Sequence, residues 1–158
     1  YHGRPPARAS CRGIGKDELA RRQARIETPV QRLAERYGTE PLLIKAIVAV
    51  ESCFDPKAVS HVGARGLMQL MPYTAEAVGV ENSFNIQQNL RGGVEYFTRL
   101  DERYDGNTAY ALAAYNAGPA AVDRHDGIPP YPETREYVRR VLERWRKYRA
   151  EANGSGEP

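Results

Sequence analysis

Glu51 closes an unbroken apolar run, Ala46-Ile47-Val48-Ala49-Val50, within the stretch AIVAVESCFDP. A carboxylate is costly to bury ionised and is seldom buried without a partner, so its place there asks for a chemical reason. Three effects act on it in one direction. Its helix is apolar on every side, and desolvation disfavours the charged form. It lies near a helix C-terminus, where the macrodipole also disfavours negative charge. The residues three and four positions earlier, Val48 and Ile47, bring no cation that would favour ionisation. A carboxylic acid held neutral near physiological pH can give a proton to a leaving group. The plainer alternative is a helix-terminal glutamate that reaches water or bonds a neighbouring loop.

The helix that would carry Glu51 opens at Pro41 and is apolar nearly all round from Leu42 to Val50, the pattern of a buried helix. Ahead of it, residues 17–27 read as a short charged helix. Thr28-Pro29 then reads as an N-cap with proline at the first position of a second helix, carrying Val30, Leu33, Ala34 and Tyr37 as far as Gly38. Beyond it, Ser60 to Gly66 is a loop, and a helical pattern runs from about Gly66 into Gly79 with a break or fresh start near Met71, where Pro72 follows. Asn85 caps an amphipathic helix on Ile86, Leu90, Val94, Phe97 and Leu100. Asn107 to Tyr115 forms another, ended by Asn116-Ala117-Gly118-Pro119. A loop with Gly127, Pro129, Pro130 and Pro132 leads to a last helix from about Glu133, whose inward stripe is Tyr137 or Val138, Val141, Leu142, Trp145 and Tyr148. Nothing alternates with period two for long enough to argue a sheet, and no segment repeats. The expected fold is all-α, about six or seven helices around one core.

Length and composition fit that expectation. The 158 residues suit one domain, with 41% apolar and 27% charged residues and a net charge of +3. No apolar run approaches the roughly 18 residues of a membrane span. The positive charge gathers at the ends, on Arg4, Arg8, Arg12 and Lys16 and again from Arg135 to Arg149. Such ends suit an anionic polymer or a solvated helix face. His2, His61 and His125 form no metal-ligand pattern, and two cysteines are too few for a zinc site of the usual spacing. The chain starts with Tyr1 rather than methionine, which reads as a processed form from which any signal peptide would already be gone, and that says nothing about compartment. Residues 1–16 read as a flexible basic arm, 17–37 as a helical extension, 38–150 as the main domain and 151–158 as a disordered tail.

Four segments, ESCFDPKAV, GARGLMQLMP, AAYNAGP and PPYPETREYV, occur in that order. Together they resemble the lytic transglycosylase domain of the soluble-lytic-transglycosylase type, related to goose-type lysozyme, over residues 38 to 148. The resemblance implies a lysozyme-like fold with a glycan-binding groove. It implies that Glu51 is a single catalytic acid and base, with Ser52 beside it helping to position the carboxylate or the sugar. Gln69 and Met71 would line the groove, Tyr115 would bond near the carboxylate with Asn116 next to it, and Glu133 would contact the muramic-acid side. Each has a plainer counterpart: Met71 as core filler, Gln69 as a surface residue, Tyr115 as a half-buried tyrosine, Glu133 as a charge suited to a first helical turn.

Most glycosidases place two carboxylates about the scissile bond. Only one lies in a motif here, since Asp55 reads as a turn-capping residue before Pro56. The resemblance therefore implies cleavage of the MurNAc-β-1,4-GlcNAc bond of peptidoglycan with formation of 1,6-anhydroMurNAc, needing no metal or cofactor. The alternatives are a hydrolytic muramidase, a non-catalytic peptidoglycan-binding assembly module, and a nucleic-acid binder suggested by ERWRKYR, which lacks a recognition motif. The expected partner is a peptidoglycan glycan strand, with no nucleic acid and no membrane span. The expected state is a monomer in the bacterial periplasm or cell-wall space. At position 53 the family commonly carries a small or polar residue, and this chain has cysteine. Two free thiols, with Cys53 partly buried, are the first reading; a Cys11–Cys53 disulfide tying the arm beside Glu51 is the second.

Overall fold

The apolar segment from Leu42 to Val50 forms the central helix of a computed structural model that describes residues 11–154. Seven helices occur among these residues: α1 (Lys16–Tyr37), α2 (Pro41–Ser52), α3 (Pro72–Ala77), α4 (Ile86–Arg103), α5 (Thr108–Ala117), α6 (Pro119–His125) and α7 (Pro132–Asn153). The described residues contain no strand, only the isolated bridges Val59–Arg65 and Arg65–Leu70. The all-α expectation holds. Residues 1–10 of the expected arm (1–16) and the last four residues of the expected tail lie outside the described residues; Lys16, the last of the arm, opens α1.

Helix α2 packs along α7 and also against α1. Ile44, Ile47 and Val48 are fully buried, each contributing about 1.5–3 kcal/mol by leaving water. Its one basic side chain, Lys45, lies with Nζ 4.2 Å from the centre of the Tyr148 ring on α7. Helix α5 can touch α4, α6 and α7 at once because Ala111, Ala113, Ala114 and Ala117 keep its surface small. Asn85 caps α4 as expected, accepting from the backbone N–H of Gln88, and Asn107 caps α5 in the same way, accepting from that of Tyr110.

Four local expectations are corrected. Thr28-Pro29 starts no helix, because α1 runs through it and ends at Gly38 in the left-handed region. Proline inside a helix costs about 3 kcal/mol or more. Ile26, Val30 and Leu33, buried on one face, outweigh that cost at about 1.5–3 kcal/mol each. The stretch from Gly66 to Leu70 is not helical. Gly66 (φ 80°) and Gln69 (φ 52°) are left-handed, which breaks any helix there. Pro119, read as an end, instead occupies the first turn of α6, a position that tolerates the missing N–H. Helix α7 runs to Asn153, three residues into the segment read as tail.

Two glycines inside α4 let the 66–80 segment lie against it. A Cβ on Gly92 would stand 2.4 Å from Val80 Cγ2, and one on Gly93 would stand 2.8 Å from Met68 Cβ. Leu70, Ala75, Val78 and Val80 form a small second core here, and Tyr96 packs against both it and the main core.

Pro29→Ala discriminates a continuous α1 from a helix that starts at Thr28. Restoring the missing interior hydrogen bond should raise stability by about 2 kcal/mol and Tm by several degrees. An unchanged or lower Tm in a calorimetric scan would contradict the continuous helix.

Candidate active site

Glu51 is the penultimate residue of α2 and is 2% exposed. Ser52 ends the helix, wholly buried, and its hydroxyl donates to the carbonyls of Leu67 (2.8 Å) and Val48 (3.2 Å). That hydroxyl is spent on backbone carbonyls and is shut off from solvent. The site is thus built where the end of α2 meets the irregular loop 65–71.

That loop is buried, with Leu67, Met68, Gln69 and Leu70 all out of solvent, so its polar backbone groups need internal partners. Side chains from three helices supply them. From α5, the Tyr115 hydroxyl donates to the Met68 carbonyl at 2.7 Å. From α4, Asn89, 1% exposed, accepts from the Met68 N–H at 2.8 Å and donates to the carbonyls of Arg65 (3.0 Å) and Ser83 (2.8 Å). From α2 comes the Ser52 bond. Within the loop, Gln69 Nε2 donates to the carbonyls of Gly66 (2.9 Å) and Ala58 (3.1 Å). Gly66 must be glycine, since a Cβ there would stand 2.2 Å from the Ser83 carbonyl oxygen.

A cleft of about 100 Å³ opens beside this loop, lined by Gln69, Leu70, Met71, Thr74, Tyr96, Tyr115, Asn116 and Gly118. Four residues singled out in the sequence, Gln69, Met71, Tyr115 and Asn116, therefore share one cavity. Glu51 is not among its lining residues and joins it through Ser52 and the loop. Glu133 also lies outside the lining, in the half-buried first turn of α7. Its neighbour Thr134 donates to Asn116 Oδ1 at 2.9 Å, which ties the start of α7 to the cleft wall. Asp55 caps a turn as expected, accepting from the Lys57 N–H at 2.9 Å.

A larger hollow of about 590 Å³ lies elsewhere, where the end of α1 meets α4, among Arg36, Tyr37, Glu95, Arg99 and Asp101. Glu95 is paired there with Arg91 (2.8 Å) and with Arg99. Burial, with the nearby Glu102 charge, pushes the Asp101 carboxyl above its usual range. None of the candidate site residues named from the sequence lines this hollow, and the smaller cleft, which gathers four of them, is the candidate site.

The cysteines resolve to the second reading: Cys11 and Cys53 form a disulfide. Cys53 caps α2 in the left-handed region, buried. Sequence reasoning missed Asn89, Tyr96, Thr74 and Thr134. Asn89 carried a signal, an amide one position before Leu90 in an otherwise apolar stripe. Tyr96, whose ring centre is 5.5 Å from that of Tyr115, carried none beyond its type.

A family model described as the transglycosylase SLT domain matches residues 28–138. Among curated relatives, membrane-bound lytic murein transglycosylase F of Desulfosudis oleivorans is 40% identical over 103 residues, covering 61% of this chain and 23% of the relative. Among solved structures, an inactive glutamate-to-glutamine mutant of lytic transglycosylase Slt from Pseudomonas aeruginosa superposes with a TM-score of 0.70 at 33% identity, covering 80% of this chain and 24% of that one. The 70-kDa soluble lytic transglycosylase in complex with bulgecin A gives a TM-score of 0.75 at 28% identity, covering 84% and 25%. The chain spans about a quarter of the length of each of these proteins.

Asn89→Asp tests the bracing of the loop. A carboxylate would turn an oxygen toward two carbonyls that now receive N–H groups, costing about 2 kcal/mol or more at neutral pH. The same contacts would raise its folded pKa above the unfolded value. Stability should therefore recover partly as pH falls through the raised folded pKa toward that of a free aspartate, and be lost again as pH rises through the folded pKa. Denaturant melts across pH would show this, and a pH-independent stability equal to that of the original protein would refute it.

Proposed function

The chain belongs to the transglycosylase SLT domain family, and on that premise we propose that it cleaves the β-1,4 bond between MurNAc and GlcNAc in peptidoglycan strands with Glu51 as acid and then base. The observation that carries this reading is the position of Glu51: a carboxyl withdrawn from solvent at the end of an apolar helix, beside a loop that walls the cleft. Burial disfavours its charged form, which suits a group that must begin protonated.

In the first half of the reaction, Glu51 gives its proton to the glycosidic oxygen and the bond from C1 of MurNAc to that oxygen breaks. The N-acetyl group of the same sugar stabilises the positive charge at C1. In the second half, the Glu51 carboxylate takes the proton of the 6-hydroxyl while that oxygen bonds to C1. The carboxyl is restored, water is neither consumed nor released, and the product is 1,6-anhydroMurNAc. One carboxyl suffices because the substrate carries its own nucleophile, and the protein supplies orientation and a proton. Gln69, Met71, Tyr115 and Asn116 would hold the strand along the cleft, and Glu133 would meet the muramic-acid side.

An extracytoplasmic setting, periplasm or cell-wall space, goes with this substrate. The Cys11–Cys53 disulfide supports it, since such bonds persist in oxidising compartments. No helix among the described residues is long and apolar enough to cross a membrane.

Glu51→Gln should keep the fold and the binding of sacculi while release of anhydro-muropeptides falls by at least a thousandfold, roughly the worth of a committed acid-base group. Muropeptide mass spectrometry reads both the loss and the product. Substantial release by the variant would sink the role of Glu51. Products heavier by one water from the original protein would replace the ring-closing step with hydrolysis.

A further inference from the structure

We propose that the Cys11–Cys53 disulfide and the Arg22 guanidinium form a clamp that positions Glu51, an inference that rests on Glu51 being the acid of the proposed reaction. The clamp acts two residues beyond the acid, at the point where α2 ends. Cys53 (φ 49°) and Phe54 (φ 62°) are consecutive non-glycine residues in the left-handed region, a conformation that is uncommon and costly for residues with a Cβ and that persists where the surroundings hold it. Helices that stop this way usually do so with glycine, which needs no such constraint.

The constraint comes from two directions. The Cys53 side chain is bonded to Cys11, 42 residues earlier, and Cys53 itself is 1% exposed. The Cys53 carbonyl accepts a hydrogen bond from Arg22 Nη1 at 3.1 Å. Arg22 is itself set by Glu18, one turn earlier on α1, with Nε 3.1 Å from the carboxylate. The Cys53 N–H completes the set by donating to the Ala49 carbonyl at 3.0 Å. Side chain, carbonyl and N–H of this one residue are thus all fixed.

Both outer anchors, Cys11 and Arg22, precede residue 28, where the match to the family model begins. The N-terminal extension is therefore more than an added helix. It grips the last turn of α2 and fixes the direction in which the Glu51 side chain leaves the helix. Proton transfer to a bound glycosidic oxygen is sensitive to that direction, and a displacement of about 1 Å can lower a rate by about a hundredfold. Cys11, Arg22 and Glu18 touch no substrate in this scheme. They are positioning residues.

The test uses the full chain, with purified glycan strands as substrate and Cys11→Ser, Arg22→Ala, Arg22→Lys and Glu51→Gln as variants. Cys11→Ser and Arg22→Ala should remain folded by circular dichroism and keep KM within about twofold, while kcat falls about tenfold or more. The pH profile of kcat should shift in both, because the environment of the proton donor has changed. Arg22→Lys, which keeps a cationic donor, should recover most of the loss. A brace with a purely structural role would lower Tm but leave kcat and its pH profile unchanged well below the melting temperature. That result in both variants overturns the clamp. If Cys11→Ser fails to fold, the Arg22→Ala and Arg22→Lys pair decides by itself. Activity persisting in Glu51→Gln is a distinct outcome: it removes the acid assignment, and the clamp with it.

Discussion

A buried loop without regular hydrogen bonding is the constraint on which this site depends. A helix or strand satisfies its own backbone; residues 65–70 can do so only through the Arg65–Leu70 bridge and a few local turns. The Gly66 N–H donates to the Ala58 carbonyl, and further N–H and C=O groups are met by the side chains of Ser52, Asn89, Tyr115 and Gln69, from α2, α4, α5 and the loop itself. Each bond is worth about 1 kcal/mol net, but leaving a buried group unmet costs about 1–3 kcal/mol, so the set behaves as a unit. The loop can take its shape only once three helices have docked. The cleft is accordingly a product of the whole fold and not of any one segment.

This gives the motif residues a second character. Ser52, Gln69 and Tyr115 invite reading as groups aimed at a ligand. In the folded chain their donors are aimed inward, at carbonyl oxygens of the loop and its neighbours. Gln69 and Tyr115 nevertheless line the cleft, so one side chain can brace the wall and form part of it. A polar residue in a strong motif is thus no proof of contact with substrate. It can belong to the site by holding backbone in place.

The sequence made the helices legible where a single physical rule decided the outcome. Asn85 and Asn107 declared their helix starts, and Leu42 to Val50 declared a buried helix by lacking any polar face. It misled where two rules competed. Thr28-Pro29 carries a valid start signal, yet the apolar stripe of Ile26, Val30 and Leu33 runs across it and prevails. Gly66 to Leu70 carries helical spacing, yet left-handed backbone at Gly66 and Gln69 overrides it. Glu51 was legible because burying a carboxyl is anomalous in any fold. Tyr96 was not, and the pairing of Cys53 with Cys11 stayed one of two readings, because each depends on what a distant segment brings alongside. No local pattern records such contacts.

The small second core under the cleft sets how the site can move. Leu70, Ala75, Val78 and Val80 are joined to the main core chiefly through Tyr96 and the glycine face of α4, and α3 above them is only six residues long. A unit that buries so little apolar surface opens at lower free energy than the helices around it. Tyr115 and Asn116 belong to the other side of the cleft, on α5, packed against three helices. The cleft therefore lies between two packing units of unequal size: α5, held by three helices of the main core, and a short segment that carries only a four-residue core of its own.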